Sequence, residues 1–497
     1  MRLRDFIEKT SSLGLDVRFE VPGGGDGGLC ISCLETEITG LTFDSREVVP
    51  GALFICKGSG FKQEYLDAAI ERGAAAWVSG PDIRRAMAVL ANLFYGEAWR
   101  SFPLVGITGT KGKTTTLYYL KEIMEHSMVC GKGRFGYLST IDTYDGVSCF
   151  KSQLTTPEAP ELGLRLSNMR QSGIRAACME VSSQALKYDR TYGVRFKYGV
   201  FTNFGKDHIG SSEHPDIEDY LASKLRIFDQ SDVAVLGREN AKFGEAFAAA
   251  QECEKIISYE AQNIHKDGKT TVFDAVIEEF EPSRKDGAKA PESIRVIKDV
   301  RLTMPGTFNA HNAAAAAAIA IRLGAAEAEI RSGLLTARTP GRMEVFEDKE
   351  RQVAAIADYA HNGLSFEKVL SSARAEYPDY RIVAVYGCTG SKGLTRRKEL
   401  PLAAAKYADW SVITEDDPGF EDPMDIAREA LKNLEEAGGK GEICIDREQA
   451  VKDAICGAQP KTLVMILGKG ADKYQLRRGV HEPYASDIVL AEKYING

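Results

Sequence analysis

The hydrophobic positions of the chain fall into short runs separated by amphipathic stretches, and the clearest run lies near residue 105. Leu104, Val105 and Ile107 form a strand-like segment, a glycine-spaced turn follows, and Leu117–Met124 has the spacing of a helix. Similar apolar runs occur at Ala176–Met179, Tyr198–Phe201 and Val233–Leu236. Strands that alternate with helical segments predict an α/β domain with a doubly wound parallel sheet, which we place at residues 102–335.

Two stretches of this domain have other patterns. Residues 254–303 are more polar, and the alternation in Thr270–Val276 predicts an inserted β-hairpin. The run Ala313–Ala318 is a strong helix former, and we expect it to serve as scaffold.

A second α/β pattern occupies residues 336–497, with a predicted linker at Thr339–Arg342 near its start. Its apolar runs are Val353–Ala357, Ile382–Tyr386, Trp410–Thr414 and Thr462–Leu467. Ligands of parallel sheets bind at the carboxyl ends of strands. We therefore expect a binding site near the residues that follow these runs, which are Asp358, Gly387, Glu415 and Gly468.

Residues 1–101 form a smaller α/β pattern. The strand-like Ile38–Phe43 leads into Asp44-Ser45-Arg46, and the helix-like Glu64–Gly73 follows a second apolar run at Ala52–Cys56. Ser45 and Arg46 could hold a polar ligand, or they could form a capped turn with a solvated arginine. These residues alone leave both interpretations open.

Composition narrows the class of protein. A chain of 497 residues is too long for one core, so three domains are expected. The net charge of −8 comes without a concentrated Lys/Arg block, so nucleic acid is not an expected partner. No apolar signal region or 18-residue apolar run is present, and a cytoplasmic protein without membrane insertion is expected. The only CxxC pair is Cys30 and Cys33, and we expect reduced thiols throughout.

The turn Gly109-Thr110-Lys111-Gly112-Lys113-Thr114-Thr115 has the chemistry of a phosphate cradle. Backbone N–H groups converge at such a strand–loop–helix junction, Lys113 would reach the phosphates, and Thr114 would bind Mg²⁺. The spacing departs from the common P-loop, because Ile107 stands where the first glycine belongs. A structural glycine-rich turn therefore remains the alternative for the motif by itself.

Two further strand ends carry groups for phosphoryl chemistry. Glu180 ends one apolar run and could supply a second Mg²⁺ ligand beside Thr114, or be an ordinary strand-end acid. Asn203, Asp207 and His208 follow another run. Together with the loop they indicate ATP-driven phosphoryl chemistry. Lys224, by its spacing alone, is a solvated helix lysine.

Taken in order, these motifs resemble those of the Mur ligases, the ATP-dependent amide-forming enzymes of peptidoglycan precursor synthesis. The resemblance runs from Asp44 to about Asp487, although Lys111 stands where Asn is usual. The matching stretches are Gly109–Thr115, Thr155–Glu158, Glu180–Ser183, Thr202–His208, Gly306–Asn312, Pro340–Glu344 and Asp358–His361. The resemblance is strongest to members that add the third residue to UDP-N-acetylmuramoyl-L-alanyl-D-glutamate.

The resemblance implies three domains: a UDP-binding domain, a central ATPase domain and a C-terminal Rossmann-like domain that receives the amino acid. We expect the chain to be a monomer. It implies ATP binding by Gly109, Thr110, Lys111, Gly112, Lys113, Thr114, Thr115, Asn309, Arg342 and Asp358. It implies catalytic roles for Lys113, Glu180, His208 and Lys224, with two Mg²⁺ sites supported by Thr114, Glu180, His208 and a carbamylated Lys224. It implies substrate binding by Ser45, Arg46, Thr155, Thr156, Ser182, Arg190, His361, Lys392, Asp416, Asp417 and Asp472.

The amino acid that is added depends on residues 416–419 and 468–472. Diaminopimelate-adding members carry Asp-Asn-Pro-Arg, whose arginine pairs with the distal carboxylate, whereas this chain has Asp416-Asp417-Pro418-Gly419. Ala471-Asp472 likewise replaces the usual His-Glu. A pocket with negative bias suits a distal ammonium, so L-lysine is favoured. A diaminopimelate- or ornithine-adding member, a folylpolyglutamate-synthetase-like ligase and a nucleotide-switch protein remain alternatives.

Overall fold

The structure is a computed structural model that describes residues 1–23, 30–58, 60–205, 209, 214–282, 290–390 and 393–496. Its strands form sheets of four, ten and six strands and a separate two-stranded hairpin. The larger sheets follow one another along the chain, so the predicted α/β organisation in three domains is confirmed. The boundaries at residues 101 and 335 stay predictions.

The N-terminal sheet has the order β1-β4-β3-β2, with only β1 antiparallel to its neighbour. Its strands are β1 Arg18–Glu20, β2 Gly40–Thr42, β3 Ala52–Ile55 and β4 Ala76–Ser79. Its helices are α1 Leu3–Ser12, α2 Ile31–Leu34, α3 Gln63–Glu71 and α4 Ile83–Phe94. Leu3, Phe6 and Leu90 are fully buried in its core, because α1 and α4 turn their apolar faces toward the sheet.

The central sheet has the order β14-β13-β12-β11-β10-β5-β9-β6-β7-β8. Its strands are β5 Leu104–Thr108, β6 Phe135–Leu138, β7 Asp142–Tyr144, β8 Cys149–Lys151, β9 Ala176–Glu180, β10 Phe196–Phe201, β11 Ser231–Gly237, β12 Lys255–Asp267, β13 Thr270–Phe280 and β14 Ser293–Leu302. Its helices are α5 Lys113–His126, α6 Ala159–Gln171, α7 Ser183–Lys187, α8 Ile217–Leu225, α9 Phe243–Ala249, α10 Asn309–Arg322 and α11 Glu327–Thr336.

The run from β12 to β6 is parallel and has helices on both faces, as the alternation of strands and helices predicted. Leu117 of α5 lies in one core and Leu166 of α6 in the core on the other side. The predicted hairpin is present as β12 and β13, and β14 extends it by one antiparallel strand. Ala313–Ala318 are buried in α10, as expected of scaffold.

The C-terminal sheet has the order β15-β16-β20-β17-β18-β19, and only β15 is antiparallel. Its strands are β15 Glu344–Asp348, β16 Val353–Asp358, β17 Arg381–Cys388, β18 Trp410–Glu415, β19 Gly441–Ile443 and β20 Thr462–Leu467, and the hairpin is β21 Tyr474–Arg477 and β22 Val480–Pro483. Its helices are α12 Gly363–Glu376, α13 Arg396–Tyr407, α14 Pro423–Glu436, α15 Arg447–Cys456 and α16 Asp487–Ile495.

None of the helices within the described ranges is long and apolar enough to cross a bilayer.

The expectation of reduced thiols is wrong at Cys30 and Cys33, whose sulfur atoms are bonded to each other. The helical turn Ile31–Leu34 holds their Cα atoms 5.2 Å apart, within the range that a disulfide spans.

Candidate active site

The loop between β5 and α5 explains why its glycines stand at positions 109 and 112. Both adopt positive φ angles, and a side chain would have no room at either position. A Cβ atom on Gly109 would lie 2.0 Å from the hydroxyl of Thr202, and one on Gly112 would lie 2.2 Å from the carboxamide oxygen of Asn312. The irregular spacing is therefore set by close contacts with two neighbouring segments.

Asn203 holds the middle of this loop through the backbone. Its carboxamide oxygen accepts a hydrogen bond from the Lys111 N–H at 2.9 Å, and its NH₂ group donates to the Lys111 carbonyl at 2.9 Å. The Asn203 carbonyl also accepts from the N–H of Thr110 at 2.9 Å. The sequence indicated Asn203 only as a neighbour of His208, and the structure gives it this positioning role.

The first residues of α5 carry the groups that face the loop. The ammonium of Lys113 turns back toward the loop and donates to the carbonyl of Gly109 at 2.9 Å. The Thr114 hydroxyl donates to the Glu180 carboxylate at 2.9 Å. Glu180 is 1% exposed, and it also accepts hydrogen bonds from the backbone N–H and the hydroxyl of Thr140 at 2.7 and 3.1 Å. Thr140 lies outside the motifs that indicated the site in the sequence.

The structure corrects the interpretation of Lys224 as a solvated lysine. The residue lies in α8 with only 2% of its surface exposed. Its ammonium donates to the carbonyl of Gly109 at 2.9 Å and lies 4.5 Å from the ring centre of Tyr220. Lys113 and Lys224 therefore approach the same carbonyl of the loop. Two other predicted site residues, His208 and Lys392, lie outside the described residues.

The donor atoms near the loop suit a hard cation. Thr114 and Glu180 offer oxygen ligands, which Mg²⁺ prefers. Within the described ranges no group of three or more His, Cys, Asp or Glu side chains is clustered for a metal. The oxygen pair fits Mg²⁺ that is bound mainly through substrate phosphates.

A cavity of about 400 Å³ extends from the loop to the C-terminal domain. It brings together the predicted nucleotide residues Lys111–Thr115, Asn309, Arg342 and Asp358, although they are up to 247 positions apart. His311 also lines the cavity, where burial lowers its pKa to about 4. Its ring nitrogen lies 2.8 Å from the carboxylate of Glu239.

Asp358 ends β16 at the C-terminal side of the cavity. Its carboxylate accepts hydrogen bonds from the N–H groups of Met343 and Ala360, at 2.8 and 2.7 Å. Burial raises the pKa of Asp358, and the Arg342 guanidinium offsets part of that rise. The Arg342 guanidinium lies 4.4 Å from the ring centre of Tyr359, and the imidazole of His361 contacts the Tyr359 carbonyl at 2.8 Å.

The predicted substrate residues of the central domain lie beside Glu180. Thr156 donates to the Glu180 carbonyl at 3.0 Å, and Thr155 contacts the Thr140 hydroxyl at 3.2 Å. Arg190 donates to the Thr156 carbonyl at 3.1 Å. Ser182 precedes the first residue of α7, and its hydroxyl accepts the N–H of Ala185. Ser182 is therefore also a helix cap.

The N-terminal domain contacts this region through Lys57. Its ammonium lies 2.7 Å from the carboxylate of Glu158, which Arg190 also contacts at 3.1 Å. Ser45 and Arg46 do not line the cavity, and the Arg46 side chain is 84% exposed and paired with Asp44. The structure thus keeps these two predicted residues apart from the nucleotide residues.

A cluster of charged residues lies at the carboxyl ends of β18 and β20. Lys469 is 1% exposed, and its ammonium lies 2.7 Å from Asp417 and 4.0 Å from Asp472. Burial raises the pKa of the Asp416 carboxyl to about 6. The negative bias of this cluster is smaller than predicted, because the Lys469 ammonium lies among the carboxylates. No pattern in the sequence indicated that position for Lys469.

Gly419 has a conformational role. Its φ angle is +63°, and its backbone is fixed by hydrogen bonds to the Leu476 carbonyl at 3.0 Å and from the Arg478 N–H at 2.6 Å. An L side chain at this φ angle is strained. The hairpin β21–β22 therefore explains why a glycine follows Pro418 in this chain.

A buried ion pair lies beneath the charged cluster. Arg447 and Asp487 are 1% and 0% exposed, and the guanidinium forms two hydrogen bonds of 2.9 Å with the carboxylate. The same guanidinium donates to the carbonyls of Glu415 and Leu467, and Asp487 accepts the N–H groups of Lys469 and Gly470. The pair joins the loops that follow β18 and β20.

A glycine-rich loop on a doubly wound sheet faces a second α/β domain across a cavity, which is the arrangement of an enzyme that binds a nucleotide between two domains. The sequence model described as "Mur ligase middle domain" matches residues 107–320, and the one described as "Mur ligase, glutamate ligase domain" matches residues 341–470. The chain belongs to the Mur ligase family.

Named relatives match over most of the chain. The UDP-N-acetylmuramoyl-L-alanyl-D-glutamate–L-lysine ligase of Enterococcus faecalis is 35% identical, with 99% of this chain and 98% of the relative covered. The UDP-N-acetylmuramyl-tripeptide synthetase of Lactobacillus acidophilus is 34% identical, with 93% and 92% covered.

Solved structures have the same fold. One of a UDP-N-acetylmuramoyl-L-alanyl-D-glutamate–2,6-diaminopimelate ligase has a TM-score of 0.62 at 23% identity, covering 100% of this chain and 99% of that one. Folylpolyglutamate synthase of Mycobacterium tuberculosis, complexed with ADP and AMPPCP, has a TM-score of 0.59 at 17% identity, covering 78% and 92%.

Proposed function

We propose that this chain adds L-lysine to UDP-N-acetylmuramoyl-L-alanyl-D-glutamate with the hydrolysis of ATP to ADP and phosphate. The observation that carries the proposal is the match over 99% of the chain to a relative named for that reaction. The cluster of charged residues supports L-lysine as the amino acid that is added. Gly419 replaces the arginine that would pair with a distal carboxylate, and Asp416, Asp417 and Asp472 line the two loops.

ATP would occupy the cavity with its phosphates at the loop. Gly109, Thr110, Lys111, Gly112 and Thr115 would surround the phosphates with N–H groups, and Lys113 would leave the Gly109 carbonyl to contact them. Asn309, Arg342 and Asp358 would hold the nucleoside. Mg²⁺ ions held at two sites by Thr114, Glu180, His208 and a carbamylated Lys224 would supply positive charge against the phosphates.

The reaction proceeds in two steps. The D-glutamyl carboxylate attacks the γ-phosphorus, and the P–O bond to ADP breaks to leave an acyl phosphate. The α-amine of the amino acid, in its neutral form, then attacks the acyl carbon, loses a proton and expels inorganic phosphate. Thr155, Thr156, Ser182 and Arg190 would orient the dipeptide, and closure of the domains would exclude water from the acyl phosphate.

The remaining site residues are assigned from the resemblance to the family. Ser45 and Arg46 would bind the uridine end. His361 and Lys392 would bind the incoming amino acid near its carboxylate. Asp416, Asp417 and Asp472 would bind the side chain of that amino acid. We propose that the enzyme works as a monomer in the cytoplasm, without nucleic acid or membrane insertion, and serves peptidoglycan synthesis.

The test is phosphate release measured with UDP-N-acetylmuramoyl-L-alanyl-D-glutamate and a panel of L-lysine, L-ornithine and meso-diaminopimelate. We expect release that requires both the dipeptide and an amino acid, with the highest kcat/KM for L-lysine. A preference for diaminopimelate would overturn the choice of amino acid. Release that ignores both substrates would overturn the ligase itself.

A further inference from the structure

The cluster of charged residues at the carboxyl ends of β18 and β20 contacts a cation from a different domain. Lys151 lies at the end of β8 in the central sheet, and its ammonium reaches across to Asp472, at 3.9 Å, in the C-terminal domain. The same ammonium lies 4.4 Å from the ring centre of Tyr474. A carboxylate beside an aromatic ring is an arrangement that binds alkylammonium groups.

The Lys151 side chain is held loosely, whereas Asp472 and Tyr474 beside it are held firmly. The Lys151 side chain is 46% exposed, whereas that of Asp472 is 23% exposed. Tyr474 belongs to β21, and the imidazole of His481 stacks on its ring at 4.2 Å, nearly parallel. An exposed lysine at the limit of an ion-pair distance is worth little to stability and is readily displaced.

Several cations lie near the carboxylates of this cluster. Asp416, Asp417 and Asp472 face the ammonium groups of Lys469 and Lys151, and the guanidinium groups of Arg447 and Arg342 act on Asp416 and Asp472. The Lys469 ammonium also lies 4.8 Å from the ring centre of Tyr474. Lys469 is almost fully buried and bonded to Asp417, so it is a fixed part of the pocket. If the Lys151 ammonium moves away from Asp472, the ammonium of a bound ligand restores the same charge at that position.

We infer that Lys151 holds the place of the substrate's distal ammonium, and that this ammonium displaces it to bind against Asp472 and the face of Tyr474. The inference rests on the proposed function, since it concerns the side chain of the added amino acid. It assigns two residues, Lys151 and Tyr474, that act on amino-acid affinity without contacting the reacting atoms. A charged side chain that must be displaced raises the KM for L-lysine.

The test compares Lys151→Gln with Lys269→Gln as the matched control. Lys269 is also a central-domain lysine that pairs with the C-terminal domain, through Glu347, but it is 78% exposed and does not contact the pocket. We expect Lys151→Gln to lower the KM for L-lysine about two- to fivefold and to leave the KM for ATP unchanged. Lys269→Gln should change neither. An unchanged or higher KM for L-lysine in Lys151→Gln would overturn the inference.

L-Norleucine shows whether Lys151 acts through its charge or through its volume, because the side chain of L-norleucine resembles that of L-lysine but has no ammonium. We expect Lys151→Gln to leave inhibition by L-norleucine unchanged, and an equal gain for both ligands would show that Lys151 only obstructs the pocket. Tyr474→Phe should retain the wild-type KM for L-lysine, and Tyr474→Leu should raise it about tenfold. A folded Tyr474→Leu enzyme with the wild-type KM would overturn the inference. If the wild-type enzyme releases no phosphate in response to L-lysine, the proposed function fails instead.

Discussion

The carboxamide of Asn203 bonds both backbone groups of Lys111, accepting its N–H and donating to its carbonyl at 2.9 Å each. The phosphate loop is therefore held open by a side chain from the end of the neighbouring strand β10. Asn203→Ala removes the partner of the Lys111 N–H and one of the two donors to the Lys111 carbonyl, which keeps the Thr202 hydroxyl at 2.8 Å. The lost contacts cost about 1–3 kcal/mol, and we expect a rise of at least about tenfold in the KM for ATP, measured by coupled assay.

The matched substitution is Lys111→Asn, which places at this position the residue that is usual in the family. Since Asn203 holds residue 111 by its backbone, the identity of the side chain matters less for the shape of the loop. We expect Lys111→Asn to keep kcat/KM for ATP within about threefold of wild type, within the range of ordinary surface substitutions. A loss as large as that of Asn203→Ala would contradict this account of the loop.

The hydrogen bond from Thr114 to Glu180 gives a second prediction. Thr114→Val keeps the shape of the side chain and removes the hydroxyl, whereas Thr114→Ser keeps the hydroxyl. We expect Thr114→Val and Glu180→Gln to lower kcat at least about a hundredfold, the effect of losing one preorganised electrostatic contact. Thr114→Ser should stay within about tenfold. The check is kcat as a function of Mg²⁺ concentration, and equal activity of the Val and Ser variants would exclude a role for the hydroxyl.

The sequence predicted the strand–loop–helix unit well, because each of its parts is local. The apolar run at Leu104, the turn and the helix occupy consecutive residues, and the structure has β5, the loop and α5 in that order. The clamp by Asn203 was not predictable in the same way. It depends on β10 lying next to β5 in the sheet, and strand order is set by packing between distant segments.

Lys224 gives a third prediction, which tests the proposed carbamate. Carbamylation would convert this buried ammonium into an anionic oxygen pair near the loop. We expect Lys224→Ala to lose at least about a thousandfold in kcat, on the scale of removing essential catalytic groups. Added short carboxylates such as acetate or propionate should restore part of that activity in a concentration-dependent way.

Two controls define the outcome for Lys224. Lys187 of α7 forms a hydrogen bond with Asp219, which lies in α8 as Lys224 does. The Lys187→Ala variant should show no response to added carboxylate. Intact-mass analysis under carbon dioxide should show one additional carboxyl group in the wild-type protein. Full activity of Lys224→Ala would exclude an essential carbamate.

The buried pair of Arg447 and Asp487 gives a fourth prediction. Asp487→Asn leaves the guanidinium without its counter-charge in the interior, and breaking a buried pair in this way costs about 3–5 kcal/mol. Thermal unfolding should show a lower melting temperature. Glu448→Gln removes an exposed carboxylate next to Arg447 in sequence and should have little effect. Near-equal melting temperatures for the two variants would contradict the role of the pair.

The pocket for the amino acid was predictable only in part. Asp416, Asp417 and Asp472 follow apolar runs, so their place at strand ends could be inferred from the sequence. The cations among them could not. Lys469 turns inward because Asp487, in a later helix, accepts its N–H and fixes the loop, and Lys151 comes from a different domain. The net charge of the pocket is therefore a property of the folded chain.

Asp416 gives a prediction about pH. Burial raises the pKa of its carboxyl from 3.8 to about 6, and the neighbouring charges of Lys469, Arg447, Asp417 and Asp487 modify that rise. Between about pH 4 and 6 the folded state binds the proton more tightly than the unfolded state. The contribution of Asp416 to stability is thus greatest below pH 4 and falls as pH rises to 6, by about 3 kcal/mol for a shift of roughly two units.

Asp416→Asn removes this dependence, because an amide does not ionise. We expect the variant to melt at a higher temperature than wild type above pH 6, and the difference to shrink as pH falls from 6 to 4. Glu435→Gln, an exposed position on α14, should show a small difference that does not vary in this window. A constant difference between Asp416→Asn and wild type across pH 4 to 8 would show that Asp416 titrates near its ordinary pKa. The same variant should bind L-lysine more weakly at pH 8. The substitution that raises its stability also removes one of the carboxylates that we propose to bind the distal ammonium of L-lysine.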